Sequence, residues 1–109
     1  MPSPGDVVIV NFPGTQGVKR RPAVIVSTPA YHSVRPDVLL ALLTSQAGKA
    51  NAPTDYALQD WAAAGLRQPT APRVFLATLP ASNVTTIGKL SDRDWLEVKS
   101  RLRLSLDVS

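Results

Sequence analysis

The most informative segment of this chain reads Gly17-Val18-Lys19-Arg20-Arg21-Pro22-Ala23-Val24-Ile25-Val26. Its second half, residues 23–26, is continuously apolar and rich in β-branched side chains, which favours a short buried strand. Pro22 disfavours the helical backbone region for the residue before it, so Arg21 is held extended where the strand begins. We therefore expect a β-rich fold that presents the last cation of the triplet at a strand start.

Three further short apolar stretches cover residues 7–10, 38–43 and 74–76. Turn-forming Pro and Gly residues separate them. Two weaker strands are predicted at residues 54–58 and 84–87. Short strands at such regular spacing are typical of a small barrel, and their continuous hydrophobicity predicts burial on both faces of the sheet.

The C-terminal part of the chain predicts one long helix. Ser91 is a suitable N-cap, and Asp92 and Asp94 fall in the first turn, where the helix dipole favours anions. Apolar residues then recur at helical spacing and should pack on the barrel: Trp95, Val98, Leu102 and Leu106. A shorter helical turn is predicted over residues 59–64, ended by Gly65.

The composition excludes several classes of protein. The chain has 109 residues, no Cys and one His, so disulfides, Cys nucleophiles and Cys- or His-rich metal sites are excluded. We expect a single domain over residues 1–109, with no metal and no cofactor. The longest apolar run, residues 38–43, is far shorter than the roughly 20 residues needed to cross a bilayer, and the N-terminus has no leader pattern. We therefore expect a cytoplasmic protein with no membrane contact.

The charge balance is basic, with 12 Lys and Arg residues against 8 Asp and Glu residues, and this excess is compatible with a polyanionic partner. Arg21 is held in an extended conformation, and an arginine in such a position can make two parallel hydrogen bonds to a phosphate. A second polar cluster, Thr44, Ser45 and Gln46, ends the strand predicted at residues 38–43, and strand ends are common positions for sites. Each segment also has a plain structural interpretation, as a solvated basic turn or as ordinary turn-forming residues.

Four short motifs follow one another along the chain: Gly5-Asp6-Val7-Val8-Ile9-Val10, Lys19-Arg20-Arg21-Pro22-Ala23-Val24-Ile25-Val26-Ser27, Leu43-Thr44-Ser45-Gln46 and Ile87-Gly88-Lys89-Leu90-Ser91. In order and spacing they resemble the MazF/PemK (Kid) toxins of bacterial toxin–antitoxin pairs, over nearly the whole chain. The resemblance implies a mainly β fold, an SH3-like small barrel with a C-terminal α-helix. It also implies a homodimer, a cognate antitoxin partner and a metal-independent, sequence-specific endoribonuclease that acts on single-stranded RNA.

The resemblance also implies which residues act. In that family the arginine before the proline and the threonine that ends the third strand carry catalysis, and these positions are Arg21 and Thr44 here. Attack of the RNA 2′-hydroxyl on the adjacent phosphorus would leave a 2′,3′-cyclic phosphate and a 5′-hydroxyl, and these two side chains would stabilise the charge that develops. The candidate RNA-binding residues are Asn11, Phe12, Lys19, Arg20, Ser45, Gln46 and Arg73.

One stretch departs from the family pattern. Many relatives carry an Asp-Gln pair followed by an Arg in the strand before the helix, whereas this chain has Ala77, Thr78 and Pro80 in the corresponding stretch. Arg73 is the candidate for the missing cation, with a plain surface arginine as the alternative. The departure suggests a second class of function, a catalytically silent SH3-like module that binds nucleic acid or a protein partner. A gyrase-directed toxin of related fold is a further alternative, which the polar C-terminus Leu106-Asp107-Val108-Ser109 disfavours.

Overall fold

The computed structural model describes residues 2–14, 17–49 and 51–108. In this part of the chain five strands form one antiparallel sheet, in the order β4-β3-β2-β1-β5. The strands are β1 (Asp6–Gly14), β2 (Gly17–Ile25), β3 (Asp37–Thr44), β4 (Ala71–Pro80) and β5 (Val84–Lys89). The helices are α1 (Pro29–His32) and α2 (Asp92–Ser105), with two short 3-10 turns at Ala47–Lys49 and Ala81–Asn83.

The sheet is coiled, with a hydrophobic cluster on each face. The inner cluster consists of Val8, Val10, Ala23, Ile25, Val38 and Leu40, and the outer cluster of Val7, Val24, Ala41, Leu43, Leu58, Ala64, Leu90 and Val98. Leu79 of β4 and Val84 of β5 both pack on the inner cluster, although these strands are the two edges of the sheet. The mainly β, small-barrel fold is therefore confirmed, as a curved sheet that brings its edges together without pairing them.

Burial on both faces is clearest in β1. Val7 and Val8 are both 0% exposed, and successive side chains of a strand point to opposite faces. Burial of a valine side chain stabilises by about 1.5–3 kcal/mol relative to an exposed one, so this pair alone favours a sheet covered on both sides. The prediction from the continuous apolar runs is confirmed here. It is wrong for residues 74–76, because β4 is an edge strand and Val74, Phe75 and Leu76 are 45%, 50% and 40% exposed.

Helix α2 covers the outer face of the sheet. Ser91 is its N-cap, and its hydroxyl accepts a hydrogen bond from the backbone N–H of Asp94 at 3.3 Å. Trp95 and Leu102 pack against the outer cluster, as predicted. Leu106 does not continue the stripe, because the helix ends at Ser105 and Leu106 is extended and 36% exposed. None of the helices in the described residues is long and apolar enough to span a membrane.

Of the two elements predicted between β3 and β4, the strand is absent and the turn is present. Residues 54–58 do not form a strand, because their hydrogen bonds go to scattered partners instead of a neighbouring strand edge: Leu58 N–H donates to the Thr70 carbonyl at 2.9 Å, and the Tyr56 hydroxyl donates to Asp94. The short turn predicted over residues 59–64 is found over residues 61–65, and Gly65 ends it, with φ +90°.

The carboxylate of Asp60 ties this region to α2. It accepts two hydrogen bonds from the guanidinium of Arg93, both at 2.7 Å. These bonds, together with one from the Ser91 hydroxyl, lower the pKa of Asp60 from 3.8 to about 2. Because the folded protein holds the ionised form, Asp60 contributes stability above about pH 4 and loses that contribution as the pH falls toward 2.

We therefore predict that Asp60→Asn flattens the acid side of the stability profile. The melting temperature of the wild-type protein should fall more steeply between pH 4 and pH 2 than that of Asp60→Asn, since the amide does not titrate. Thermal unfolding followed by circular dichroism across this pH range measures both profiles. Parallel profiles would contradict the assignment of this acid sensitivity to Asp60.

Candidate functional site

A groove of about 590 Å³ opens at the end of the sheet where β2 begins its buried half and β3 ends. Its walls come from the strands and from the segment that leads into β4. The lining residues are Ile9, Arg20, Arg21, Pro22, Leu43, Thr44, Ser45, Gln46, Gly65, Leu66, Arg67, Gln68, Thr70 and Ile87. The two residues implied as catalytic, Arg21 and Thr44, thus line one groove.

The sheet register explains why residues so distant in sequence meet there. Strands β2 and β3 are antiparallel and Ala23 pairs with Leu42, so the start of the apolar half of β2 lies beside the end of β3. Thr44 in turn pairs with Ala71, the first residue of β4. The segment that precedes β4 must therefore arrive at the same end of the sheet, and it contributes Arg67 to the lining.

The groove is cationic. Arg20, Arg21 and Arg67 line it, and no acidic side chain is among its lining residues in the described part of the chain. The two salt bridges found within residues 2–14, 17–49 and 51–108 are Arg93–Asp60 and Arg101–Glu97, so neither neutralises a groove arginine. A concave surface lined by one sign of charge attracts a polyanion.

Thr44 supplies a neutral donor beside these cations. Its side chain is half-buried, and its hydroxyl oxygen accepts a hydrogen bond from the backbone N–H of Gln46 at 3.2 Å. That bond uses an acceptor lone pair of the hydroxyl and orients the side chain, while the hydroxyl hydrogen stays available to donate to a ligand oxygen. The turn after β3 therefore preorganises one donor in the groove.

A second, smaller cavity of about 250 Å³ adjoins the groove. Thr44 and Gln46 line both spaces, so the two lie side by side. Arg73 lines the smaller cavity with Lys49 and Asp55, and it does not line the main groove. The two neighbouring cavities, with Thr44 between them, are together called the track here.

The remaining candidates lie on the β1–β2 hairpin. Asn11 pairs with Arg20 and Lys19 pairs with Phe12, which places these positions just beyond the groove along the hairpin. Asn11 and Lys19 are exposed, and neither lines either of the two cavities. The side chain of Phe12 lies outside the described part of the structure.

The departure from the family pattern lies at the far end of β4. Pro80 pairs with Asp37, the first residue of β3, whereas the groove lies at Thr44, the last. Ala77 is six residues from Ala71 along the strand, a distance of about 20 Å. Ala77 packs against the inner cluster. The substitutions at 77, 78 and 80 are thus outside the groove lining.

The sequence-based candidates did not include two exposed polar residues of the groove, Arg67 and Gln68. Both are exposed, and both follow Gly65 in a segment with no regular periodicity. Their nearness to a Pro-rich stretch and to Arg73 is visible in the sequence, but their distance from Arg21 is not. They reach the groove because Leu58 bonds to Thr70 and closes the segment into a loop.

Comparison with solved structures identifies the class of fold. A MazE–MazF crystal structure from Deinococcus radiodurans (form II) superposes with a TM-score of 0.74 at 23% identity, over 99% of this chain and 97% of that chain. An endoribonuclease in complex with its cognate antitoxin, from a mycobacterial species, gives a TM-score of 0.79 at 20% identity, over 100% and 98%. Mycobacterium tuberculosis toxin MazF-mt6 gives 0.76 at 19% identity, over 95% and 98%. The fold is therefore that of MazF toxins.

The family follows from the sequence itself. The family model described as "PemK-like, MazF-like toxin of type II toxin-antitoxin system" matches residues 3–106, and the chain belongs to this family. A comparison with curated protein sequences finds no match.

Proposed function

We propose that this toxin is a metal-independent endoribonuclease, an mRNA interferase, that cleaves single-stranded RNA in the cytoplasm at a short sequence. The observation that carries the proposal is the groove in which Arg21 from β2 and Thr44 from β3 meet beside two further arginines. Membership of the toxin family agrees with it. The residues proposed as catalytic are Arg21 and Thr44.

The proposed reaction uses a nucleophile that the RNA supplies. The 2′-oxygen forms a bond to the adjacent phosphorus, the bond from phosphorus to the 5′-oxygen breaks, and the 2′-proton is lost as the leaving oxygen gains one. The products carry a 2′,3′-cyclic phosphate and a 5′-hydroxyl. Arg21 neutralises the phosphorane and donates an N–H toward the leaving oxygen, and Thr44 donates its hydroxyl to a non-bridging oxygen.

The rest of the track is proposed to bind the flanking nucleotides. Arg20 lines the groove and Arg73 lines the adjoining cavity, and both are proposed to contact phosphates of the flanking nucleotides. Ser45 and Gln46 offer donors and acceptors for the edges of unstacked bases, which is how single-stranded RNA is read. Asn11, Phe12 and Lys19 extend this proposed surface along the hairpin.

Two protein partners belong to the proposal. MazE–MazF complexes are among the similar structures, and we propose that this chain likewise has a cognate antitoxin. We also propose a homodimer. Val74 and Leu76 are exposed on β4, an edge strand of the sheet in the described chain, and a second copy that covered them would remove apolar surface from water.

The test is incubation of the purified protein with a long single-stranded RNA in the presence of EDTA. We expect discrete fragments with 2′,3′-cyclic phosphate and 5′-hydroxyl ends, identified by end-group labelling. The same RNA with 2′-O-methyl groups is the control, and it should stay intact because its nucleophile is blocked.

Other outcomes favour other conclusions. Cleavage that requires a divalent cation and leaves 5′-phosphates would contradict the mechanism. RNA binding without cleavage by the folded protein would favour the catalytically silent binding module, and failure to bind or cleave RNA would favour a protein target such as gyrase.

A further inference from the structure

Residues 58–70, called the wall loop here, carry five lining residues into the groove: Gly65, Leu66, Arg67, Gln68 and Thr70. The loop is closed at its base, since Leu58 N–H donates to the Thr70 carbonyl at 2.9 Å. The Thr70 hydroxyl donates to the Gln68 carbonyl at 2.8 Å, which orders the arm next to the groove. Compact surface loops with closed ends are frequently functional.

A buried carboxylate holds the other arm of this loop. Asp94, in the first turn of α2, is 0% exposed. Its Oδ1 accepts hydrogen bonds from the Tyr56 hydroxyl at 2.6 Å and from Gln59 N–H at 3.0 Å, and its Oδ2 accepts one from Asp60 N–H at 2.8 Å. A buried charge is tolerated only when such bonds compensate its lost hydration, so the carboxylate and this arm fix each other.

Strand β5 supports the turn that follows. A methyl group at Gly88 would overlap the carbonyl oxygen of Ala64, and a methyl group at Gly65 would lie 2.7 Å from the carbonyl oxygen of Ile87. The turn therefore lies directly on the backbone of β5. Arg67 comes two residues after Gly65, so its position in the groove depends on contacts with α2 and β5.

We infer that Asp94 is a positioning residue for the groove: it fixes the wall loop so that Arg67 contacts an RNA phosphate beside Arg21 and Thr44. The inference rests on the proposed function for the identity of the ligand. Arg67 is exposed, lines the groove and takes part in neither of the salt bridges found within the described residues, so its charge is available to a phosphate.

The experiment measures the dissociation constant for a random-sequence pool of 2′-O-methyl oligoribonucleotides over a series of salt concentrations. Loss of one phosphate contact with a single strand reduces the slope of log K against log salt by about 0.7. Arg67→Ala should show this reduction. Asp94→Asn replaces an acceptor oxygen with a donor that faces the N–H groups of Gln59 and Asp60 and the Tyr56 hydroxyl, and it should show the same reduction.

The direction in which the RNA affinity changes distinguishes loss of the Arg67 contact from a general effect of charge. Asp94→Asn removes a negative charge, so long-range electrostatics alone would strengthen binding to RNA. The double variant, Asp94→Asn with Arg67→Ala, should bind RNA as each single variant does, because both changes remove the same contact, that of Arg67 with a phosphate. Tyr56→Phe, which removes one of the three bonds to Asp94, should give a smaller reduction and serves if Asp94→Asn does not fold.

Val38→Ala is the matched control for lost stability. Val38 is buried in the inner cluster, on the opposite face of the sheet from α2, so this variant should be less stable with an unchanged salt slope. A wild-type slope in folded Asp94→Asn, a further loss of slope in the double variant, or an equal loss in Val38→Ala would overturn the inference alone. A wild-type protein that does not bind the pool would overturn the proposed function as well.

Discussion

Arg21→Ala is expected to slow RNA cleavage by about 100-fold to 1000-fold, the usual effect of removing one preorganised donor to a developing negative charge. The free energy of unfolding should hardly change, because Arg21 is exposed and takes part in neither salt bridge of the described residues. Single-turnover cleavage of a labelled RNA at saturating protein measures the first quantity, and thermal unfolding measures the second.

Two further variants sharpen this result. Arg21→Lys keeps the charge but loses the planar pair of donors, so most of the loss should remain. Arg35→Ala removes the same charge from an exposed position before β3, at the opposite end of that strand from Thr44, and should retain nearly full activity. Equal losses in Arg35→Ala and Arg21→Ala, or unfolding of Arg21→Ala, would argue against a catalytic role.

Gly88→Ala is expected to destabilise the protein by about 3 kcal/mol, the upper part of the range for overpacked sites. The added methyl group would overlap the Ala64 carbonyl oxygen and lie 2.7 Å from its carbonyl carbon. Both are backbone atoms that cannot rotate away, so the wall loop must shift or its contact with β5 must break. For a domain of this size the melting temperature should fall by roughly 15 °C, as thermal unfolding will measure.

Gly48→Ala is the matched control for Gly88→Ala. A methyl group at Gly48 meets no atom within 4 Å, and its backbone is not left-handed. Its stability should match that of the wild-type protein or exceed it by a few tenths of a kcal/mol, because alanine restricts the unfolded chain. A wild-type melting temperature in Gly88→Ala would show that the wall loop does not rest on β5.

Most of the architecture follows from local patterns. The β-branched runs predicted the buried parts of β1, β2 and β3, and Ser91 with the apolar stripe predicted the start and the packed face of α2. The prediction of a strand at residues 54–58 was wrong, since a strand needs a free sheet edge as well as suitable residues. Tyr56 is instead held by Asp94, which lies 38 positions further along the chain.

The candidate site likewise combines features that local motifs indicated with features that only strand pairing decided. Arg21 and Thr44 were recognisable as candidates because each belongs to a short motif at a strand boundary, where backbone and side-chain chemistry are local. Their joint presence in one groove required the pairing of Ala23 with Leu42, which no local pattern encodes.

Local residue chemistry thus indicated most of the strands, the capped helix, the basic charge and the two polar strand-end segments, and the family resemblance singled out Arg21 and Thr44 within those segments. Long-range hydrogen bonds and backbone contacts decided the rest: the curvature of the sheet, the placement of Arg67 in the groove and the hydrogen bonds that Asp94 accepts from Tyr56, Gln59 and Asp60. The physical reason is that hydrophobic periodicity and capping act over a few residues. A buried carboxylate, in contrast, accepts hydrogen bonds from the donors that the completed fold brings beside it. Here these donors are Gln59 and Asp60, which lie 35 and 34 positions earlier in the chain than Asp94.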